Sequence, residues 1–572
     1  MIPMTPSLTF SALSATKNQS ALFLAAQEGR SADIATLAGL GVSVLSMMPN
    51  FATPMLYAAA GGHVNAIQTL ASFGGLASSR LVDGATPLFL AAQGGHAEAV
   101  SAIAAMEGAD VNLGTSDGTP PAFAAAINGH TNVIQLLVAL GVYVNGRMSD
   151  GASLLFIAAS HGHIDTVQAL LDLGADTNAA LHNTVASRSP KRARRHCAGT
   201  GYQMRCESCR MPMVDGTTPL MAAAQNGHEE VIQTLASLGV DLNAASTTDG
   251  STALMAAAQL GHAGAVRKLG SLGANPNAVD ASKARATPIL FAAQNGHLET
   301  VKALIEIGAN AEATLVDGAT PLMFAAMSGH VDVIRYLAET AHVSVSKAGD
   351  DEATPLFLAA QNGHAEAVRA LHELGADANT ENDEGRSPLF AAAECGHIGV
   401  MELLVGLGVD PNATSEGGVC PLHIASQSGH INAIKTLARL GANINARTEG
   451  GATPLFLAAL RGYVPIIHGL VELGAEVNAQ DSDGVTSLFV AAEEGHLLAV
   501  KALVELGADA KLCANDGASP LTAAEVGNHA GVVKYLSGET TSTRKKIPVK
   551  SRRRLPLETI SSIERTHRIL PS

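Results

Sequence analysis

Short apolar runs alternate with polar turns along most of the chain, and this pattern recurs about every 33 residues. Leu88–Ala92 is one such run, and the Gly-Gly-His that follows predicts that its helix is short. In a later repeat, Ala367, Val368 and Leu371 lie at helical spacing and predict a second helix over 365–374. The glycine that closes the first run recurs fifteen times. A fixed period of this length predicts an array of stacked two-helix units.

The residues between the apolar runs predict how each unit turns. Asp83-Gly84 is typical of a tight hairpin turn with a positive φ. Thr320-Pro321 predicts a helix start, because a threonine hydroxyl caps the helix and proline suits its first position. Gly375 follows a second helix and predicts a left-handed residue at its carboxyl end.

The recurring phrases Thr-Pro-Leu-x-x-Ala-Ala-x-x-Gly-His and Leu-Gly-Ala-Asp-x-Asn-Ala resemble those of the ankyrin-repeat family. The resemblance covers 20–178 and 215–537 and implies an all-α solenoid of about fifteen repeats, each with two helices and a β-hairpin turn. One departure concerns the histidine that usually follows Thr-Pro-Leu in the family. Here only His423 keeps it, so we expect the other repeats to depend more on apolar packing.

The charge of the chain is unevenly distributed. The total is −15, but residues 540–572 carry +7 and residues 181–214 carry +6, which leaves −28 on the repeat body. A body this acidic repels nucleic acid and favours basic or polar protein segments. No apolar run reaches the roughly 18 residues of a membrane span.

The domain boundaries follow from these patterns. We expect an amino-terminal segment over 1–19, repeats over 20–178, a basic insertion over 179–214, further repeats over 215–537 and a basic tail over 538–572.

The insertion adds 32 residues at the turn between two repeats. We interpret it as a disordered surface loop, with a degenerate repeat and a mistranslated segment as alternatives. A zinc site is a further alternative, because Cys206 and Cys209 form a Cys-x-x-Cys pair, although the adjacent His196 and Cys197 give poor geometry for the other half.

Two basic clusters resemble nuclear import signals. Residues 544–554 form two blocks with a short spacer, as in a bipartite signal, and the other cluster lies in the insertion. Such clusters are common and unspecific, and the alternative is that both segments are solvated and unstructured. The cluster residues are Lys191, Arg192, Arg194, Arg195, Arg544, Lys545, Lys546, Arg552, Arg553 and Arg554.

No catalytic motif stands out. The chain has no phosphate-binding loop, no His-Glu-x-x-His and no nucleophile elbow. Twelve of the 21 histidines occupy the repeated Gly-His turn, which indicates a structural role. We therefore predict a protein that is not an enzyme, holds no cofactor and is unsuited to small molecules.

In the family, the hairpin tips and the exposed side of each first helix line a concave groove. The two residues before the Gly-His turn are our candidates for partner contacts there, because Gln and Asn can donate and accept hydrogen bonds. For the recurring Gln-Asn pairs the alternative is solvated filler from repeat duplication, and the pairs that differ are better candidates for specificity. These candidates are Asn128, Ser160, His161, Gln225, Asn226, Gln294, Asn295, Met327, Gln361, Asn362, Leu460, Arg461, Glu493 and Glu494.

The resemblance implies an interaction scaffold or adaptor that binds a protein partner along the groove. Two alternatives stay open: a regulatory or substrate-recognition subunit of a ubiquitin ligase or kinase complex, and a nuclear co-regulator. The few, irregularly placed cysteines favour a reducing compartment, which predicts the cytoplasm, with the nucleus as the alternative.

Overall fold

The computed structural model describes residues 18–181, 216–281 and 285–538. These residues form helices in consecutive pairs, numbered α1 to α30. The described ranges contain no β-strand, and their hairpin turns hold two isolated bridges, Arg147 with Ser153 and Gln480 with Thr486.

The first helices of the pairs are α1 (18–27), α3 (Pro54–Ala60), α5 (Pro87–Gln93), α7 (Pro121–Ile127), α9 (Leu154–Ser160), α11 (Pro219–Gln225), α13 (Ala253–Leu260), α15 (Pro288–Gln294), α17 (Pro321–Met327), α19 (Pro355–Gln361), α21 (Pro388–Cys395), α23 (Pro421–Ser428), α25 (Pro454–Leu460), α27 (Ser487–Glu493) and α29 (Pro520–Val526).

The second helices are α2 (Ser31–Gly39), α4 (Val64–Ser72), α6 (Ala97–Ala104), α8 (Thr131–Ala139), α10 (Ile164–Asp172), α12 (Glu229–Ser237), α14 (Ala263–Ser271), α16 (Leu298–Glu306), α18 (Val331–Arg335), α20 (Ala365–Glu373), α22 (Ile398–Gly406), α24 (Ile431–Arg439), α26 (Val464–Glu472), α28 (Leu497–Glu505) and α30 (Ala530–Ser537).

The chain divides into two compact units. The first comprises Met1–Ala292 and Glu299–Asn310, and the second comprises Ala293–Leu298 and Ala311–Ser572. In the first unit, α3, α5, α7, α9, α11 and α13 pack in series, and α2, α4, α6, α8, α10, α12 and α14 form a parallel series. The second unit repeats this arrangement from α17 to α30. Each unit is therefore an all-α solenoid, as the sequence predicts.

The capping signals act as the sequence predicts. The Thr86 hydroxyl accepts a hydrogen bond from the Phe89 backbone N–H at 3.1 Å, and Pro87 is the first residue of its helix. At the end of α20, Gly375 has a φ of 98°, and the Ala376 N–H donates to the Leu371 carbonyl at 2.9 Å. This is a Schellman cap, which satisfies carbonyls that the helix leaves unpaired.

The hairpin turns have one residue at positive φ. Leu81 N–H donates to the Ala85 carbonyl, Gly84 N–H donates to the Leu81 carbonyl, and Gly84 has a φ of 85°. These bonds define a type I turn followed by a left-handed glycine, which is the usual three-residue hairpin loop. Asp83 then accepts a hydrogen bond at its carbonyl from Ser116 N–H, 2.7 Å away in the next turn.

The insertion interrupts one of these turns without changing its hydrogen bonds. Leu181 N–H donates to the Thr217 carbonyl at 3.0 Å, and Gly216 N–H donates to the Leu181 carbonyl at 2.8 Å, as in the 81–85 turn. The helices on either side, α9 and α11, pack directly against each other. Our interpretation of the insertion itself, including its zinc alternative, concerns residues 182–215, which lie outside the described ranges.

Deleting residues 182–213 should leave the stack folded. The deletion joins Leu181 to Val214 and creates Leu-Val-Asp-Gly, the sequence of the 81–84 and 315–318 turns. Closing a flexible loop costs about 0.6 kcal/mol for each doubling of its length, so the unfolding free energy should stay constant or rise. Urea unfolding of the deletion variant measures this. A loss of several kcal/mol would show that the segment is a stacked layer.

Helix α18 departs from the pattern because its repeat has one additional residue. The helix continues as a π-helix over Tyr336–Thr340, and His342 adopts the left-handed φ of 57° where other repeats have glycine. The Val343 N–H donates to the Leu337 carbonyl, a span one residue longer than that between Ala376 and Leu371. The wider turn accommodates the additional residue. Insertion of one residue into a helix is the usual origin of such a π-turn.

Candidate binding groove

Hairpin turns and first helices share one surface of each unit. Leu90, on α5, packs against a buried cluster of Ala85, Phe89 and Ala124 together with the turn residue Leu81. We call this surface the inner face and define it by the residues at the positions of Leu90 and Gln93 on the first helices, together with the turns. It corresponds to the groove that the sequence predicts.

Apolar side chains line part of the inner face at the position of Leu90. Leu90, Phe324 and Leu358 are half-buried there, and Leu24 is 48% exposed. Our candidate residues do not include this position. The sequence signal is its variability: this position changes among Leu, Tyr, Phe, Ile, Val and Ala, whereas the position that follows it is always alanine.

The histidines of the Gly-His turns connect neighbouring repeats. His397 Nε2 donates to the Gln361 carbonyl at 3.0 Å, and its ring covers Gly363, where an added Cβ would lie 2.7 Å from Nδ1. His228 makes the same bond to Ser160 across the insertion, at 3.0 Å. These rings explain why nearly all the repeats have glycine at this turn, with Asn528 as the exception, and they assign the recurrent histidines to structure.

Several candidate residues also have structural bonds. The side-chain amides of Asn128, Asn226 and Asn362 donate to the carbonyl four residues earlier, at 2.8 to 2.9 Å, and so cap their own helices. The backbone carbonyls of other candidates accept the histidine of the next repeat. These are Ser160, Gln294, Met327, Gln361, Leu460 and Glu493.

The candidate pairs do not converge on a single site. Each pair lies at the end of its own first helix, so successive pairs are separated by a repeat. His161 stacks on His163 with ring centroids 6.0 Å apart, and its Nδ1 lies 3.0 Å from Ser160 Oγ. Arg461 and Glu494 are exposed, as is Asn295. Their role in partner binding stays a prediction.

A recess opens on the inner face between α11, α13 and α15, and it includes the candidate Gln225. Met221 and Met255, both almost fully buried, lie at its base, and Phe291 and the turn residue Asp249 also line it. The recess holds about 90 Å³, whereas small-molecule pockets span roughly 300–1,000 Å³. Its size therefore suits one side chain.

The buried pair Cys420 and His423 is the closest arrangement to a catalytic dyad within the described ranges. The two side chains lie 3.0 Å apart and are essentially inaccessible to solvent. Burial raises the pKa of the Cys420 thiol, and burial lowers the pKa of His423 to about 4. Both groups are therefore neutral at physiological pH, which is the opposite of an activated thiolate–imidazolium pair.

No group of metal-binding side chains occurs in the part of the chain that the structure describes. Among the described helices, none is long and apolar enough to cross a membrane. The proposed import clusters lie outside the described residues.

A profile of ankyrin repeats (3 copies) matches the chain at 22–115, 103–180, 181–280, 272–347, 342–415, 400–481 and 473–546. These ranges cover most of the sequence, so the chain belongs to the ankyrin-repeat family. The match does not determine the number of repeats, and fifteen stays a prediction. A search of curated proteins finds no match. Ankyrin repeats are generic protein-interaction modules, typically without catalytic activity, which supports a role in binding other proteins.

Proposed function

We propose that this chain is a non-enzymatic scaffold or adaptor that binds an extended segment of a partner protein along the inner face. The observation that carries the proposal is the set of accessible apolar side chains at the position of Leu90 in some of the repeats, whereas Ile157, Ile424, Leu457 and Val490 at the same position are buried. The accessible residues are Leu24, Tyr57, Leu90, Phe291, Phe324 and Leu358. Such residues provide area to bury, and the adjacent turns provide polar groups that fix the orientation of a bound segment.

The partner segment is basic or polar in this proposal. The repeat body carries −28, and acidic residues recur in the turns at the rim of the inner face, as at Asp83, Asp249 and Asp317. Complementary charge accelerates encounter and disfavours acidic partners such as nucleic acid. We place the protein in the cytoplasm, with the nucleus as the alternative if either basic cluster acts as an import signal.

Changing Glu493 and Glu494 to lysine should weaken binding of a basic partner roughly tenfold at physiological salt. Glu494 is exposed and Glu493 is half-buried, and each charge reversal changes the interaction by up to about 1 kcal/mol, an effect that should shrink at high salt. The fold should be nearly unaffected, because the bond that His529 makes uses the backbone carbonyl of Glu493. Affinity purification identifies the partner, and titration at two salt concentrations measures the effect.

The matched control changes Glu472 and Glu505 to lysine. This variant has the same net charge, but its substitutions lie at the exposed ends of second helices. If both variants bind the partner as tightly as the unchanged protein at physiological salt, the proposal that acidic side chains attract a basic partner is wrong. Equal weakening by both would assign the effect to net charge instead of the inner face.

A further inference from the structure

At the recess between α11, α13 and α15, two neighbouring repeats carry small residues on the inner face. At the position of Leu90, these repeats have Ala222 and Ala256, whereas the next repeat has Phe291. Ala256 and Phe291 both line the recess, and the small side chain of Ala256 contributes to its open space. Met221 and Met255 form a floor that is flexible enough to adapt to an inserted side chain.

The turn beside the recess is one residue longer than the other hairpin turns described above. Ser246 N–H donates to the Ser251 carbonyl at 2.8 Å, and Gly250 N–H donates to the Ser246 carbonyl at 3.0 Å. The corresponding bonds of the 81–85 turn each span one residue fewer. The longer turn carries Ser246, Asp249 and Ser251, and all three line the recess.

Asp249 is the charged residue of the recess lining. Burial alone would raise the pKa of its carboxyl, but hydrogen bonds from the Ser251 N–H and from the side chains of Ser246 and Ser251 lower the pKa below its ordinary value. The carboxylate is therefore ionised at neutral pH. The amides of Gln225 and Gln259 add polar groups at the same opening.

An apolar floor with a carboxylate at the rim fits a side chain that has an aliphatic stem and a cationic end. We infer that the recess receives a lysine or arginine side chain from the partner segment, an assignment that rests on the proposed function. The stem packs on Met221 and Met255, and the cationic group pairs with Asp249. This contact fixes the register of the extended segment on the first unit.

The test uses labelled full-length protein and synthetic nonapeptide libraries, each with one fixed residue. Libraries with a fixed lysine or arginine should bind best. For the tightest peptide, replacing the basic residue by norleucine should weaken binding about ten- to hundredfold, because hydrogen bonds to charged groups are strong. Asp249→Asn should cause a similar loss, and the two changes together should lose little more than either alone.

Two further variants complete the test, one as a matched control and one that fills the recess. Asp150→Asn alters the same position in another turn, where the carboxylate also accepts the N–H two residues later at 3.0 Å. It removes one rim charge as Asp249→Asn does, but it should weaken binding far less, because Asp150 does not line the recess. Asn50 already makes this bond in its own turn, so asparagine is compatible with the fold. Ala256→Leu fills the recess with the residue found at 90 and should abolish the preference for basic peptides.

The outcomes separate the two proposals. If peptides bind but Asp249→Asn and Ala256→Leu leave the preference for basic residues unchanged, the recess assignment is wrong and the groove function stands. If peptides bind without any preference for lysine or arginine, the assignment is also wrong. If no library binds, both proposals fail.

Discussion

Replacing Gly363 by alanine is expected to lower the unfolding free energy by about 3–4 kcal/mol. The residue has a φ of 82°, which costs alanine roughly 1–2 kcal/mol. In addition, the new Cβ would lie 2.7 Å from His397 Nδ1, so the ring must move and lose its bond to the Gln361 carbonyl. A partly buried carbonyl that loses its donor costs roughly a further 1–3 kcal/mol. Urea unfolding followed by circular dichroism measures the loss.

Gly375→Ala is the matched control. Its φ of 98° is equally unfavourable for alanine, but an added Cβ there meets no atom within 4 Å. Its cost should therefore be the backbone strain alone, about 1–2 kcal/mol. Equal losses in the two variants would show that the histidine ring does not stabilise the stack.

Acidification is expected to destabilise the protein through His423, with the effect concentrated between pH 6.5 and about 4. Burial lowers the pKa of this histidine from 6.5 to about 4, and its Nε2 donates to the Ala452 carbonyl at 3.1 Å. Between these two values the unfolded chain binds a proton that the folded chain does not. Stability is therefore fully present above pH 6.5 and falls with pH, by roughly 3 kcal/mol at pH 4.

His423→Phe isolates this effect. Phenylalanine occupies the same position at 89 and 357, where it is buried. The free energy of unfolding of the variant should differ from that of the unchanged protein at pH 7. Between pH 6.5 and 4, however, this free energy should fall by about 3 kcal/mol less in the variant. Unfolding free energies measured at four pH values give both slopes. Identical slopes would mean that His423 is protonated in the folded state without penalty.

The sequence predicts the fold well because its signals are local. Thr-Pro marks helix starts, glycine after the second helix marks its end, and Asp-Gly marks turns; each acts through its own backbone conformation or nearest hydrogen bonds. The π-helix over Tyr336–Thr340 could not be predicted in the same way, because an additional residue has several local solutions. Packing of neighbouring repeats selects one of them.

The site is less predictable because it depends on which side chains reach the inner face. The sequence suggests the polar pairs before Gly-His as partner contacts. In the structure, however, the side-chain amides of Asn128 and Asn362 cap their own helices. The recess depends on residues from three repeats, such as Met221, Ala256 and Phe291, which line it together although as many as 70 residues separate them in the chain. Comparing equivalent positions between repeats, as well as motifs within one repeat, would have revealed it.

Photo-cross-linking to the partner tests most directly whether the inner face binds it. A benzoylphenylalanine is placed at Leu90 or Leu358 on the inner face, and at Gln233 or Glu472 on exposed positions of second helices. The proposal predicts cross-links from the first two positions, and competition by a basic peptide should remove them. Cross-links from Gln233 or Glu472 alone would contradict it.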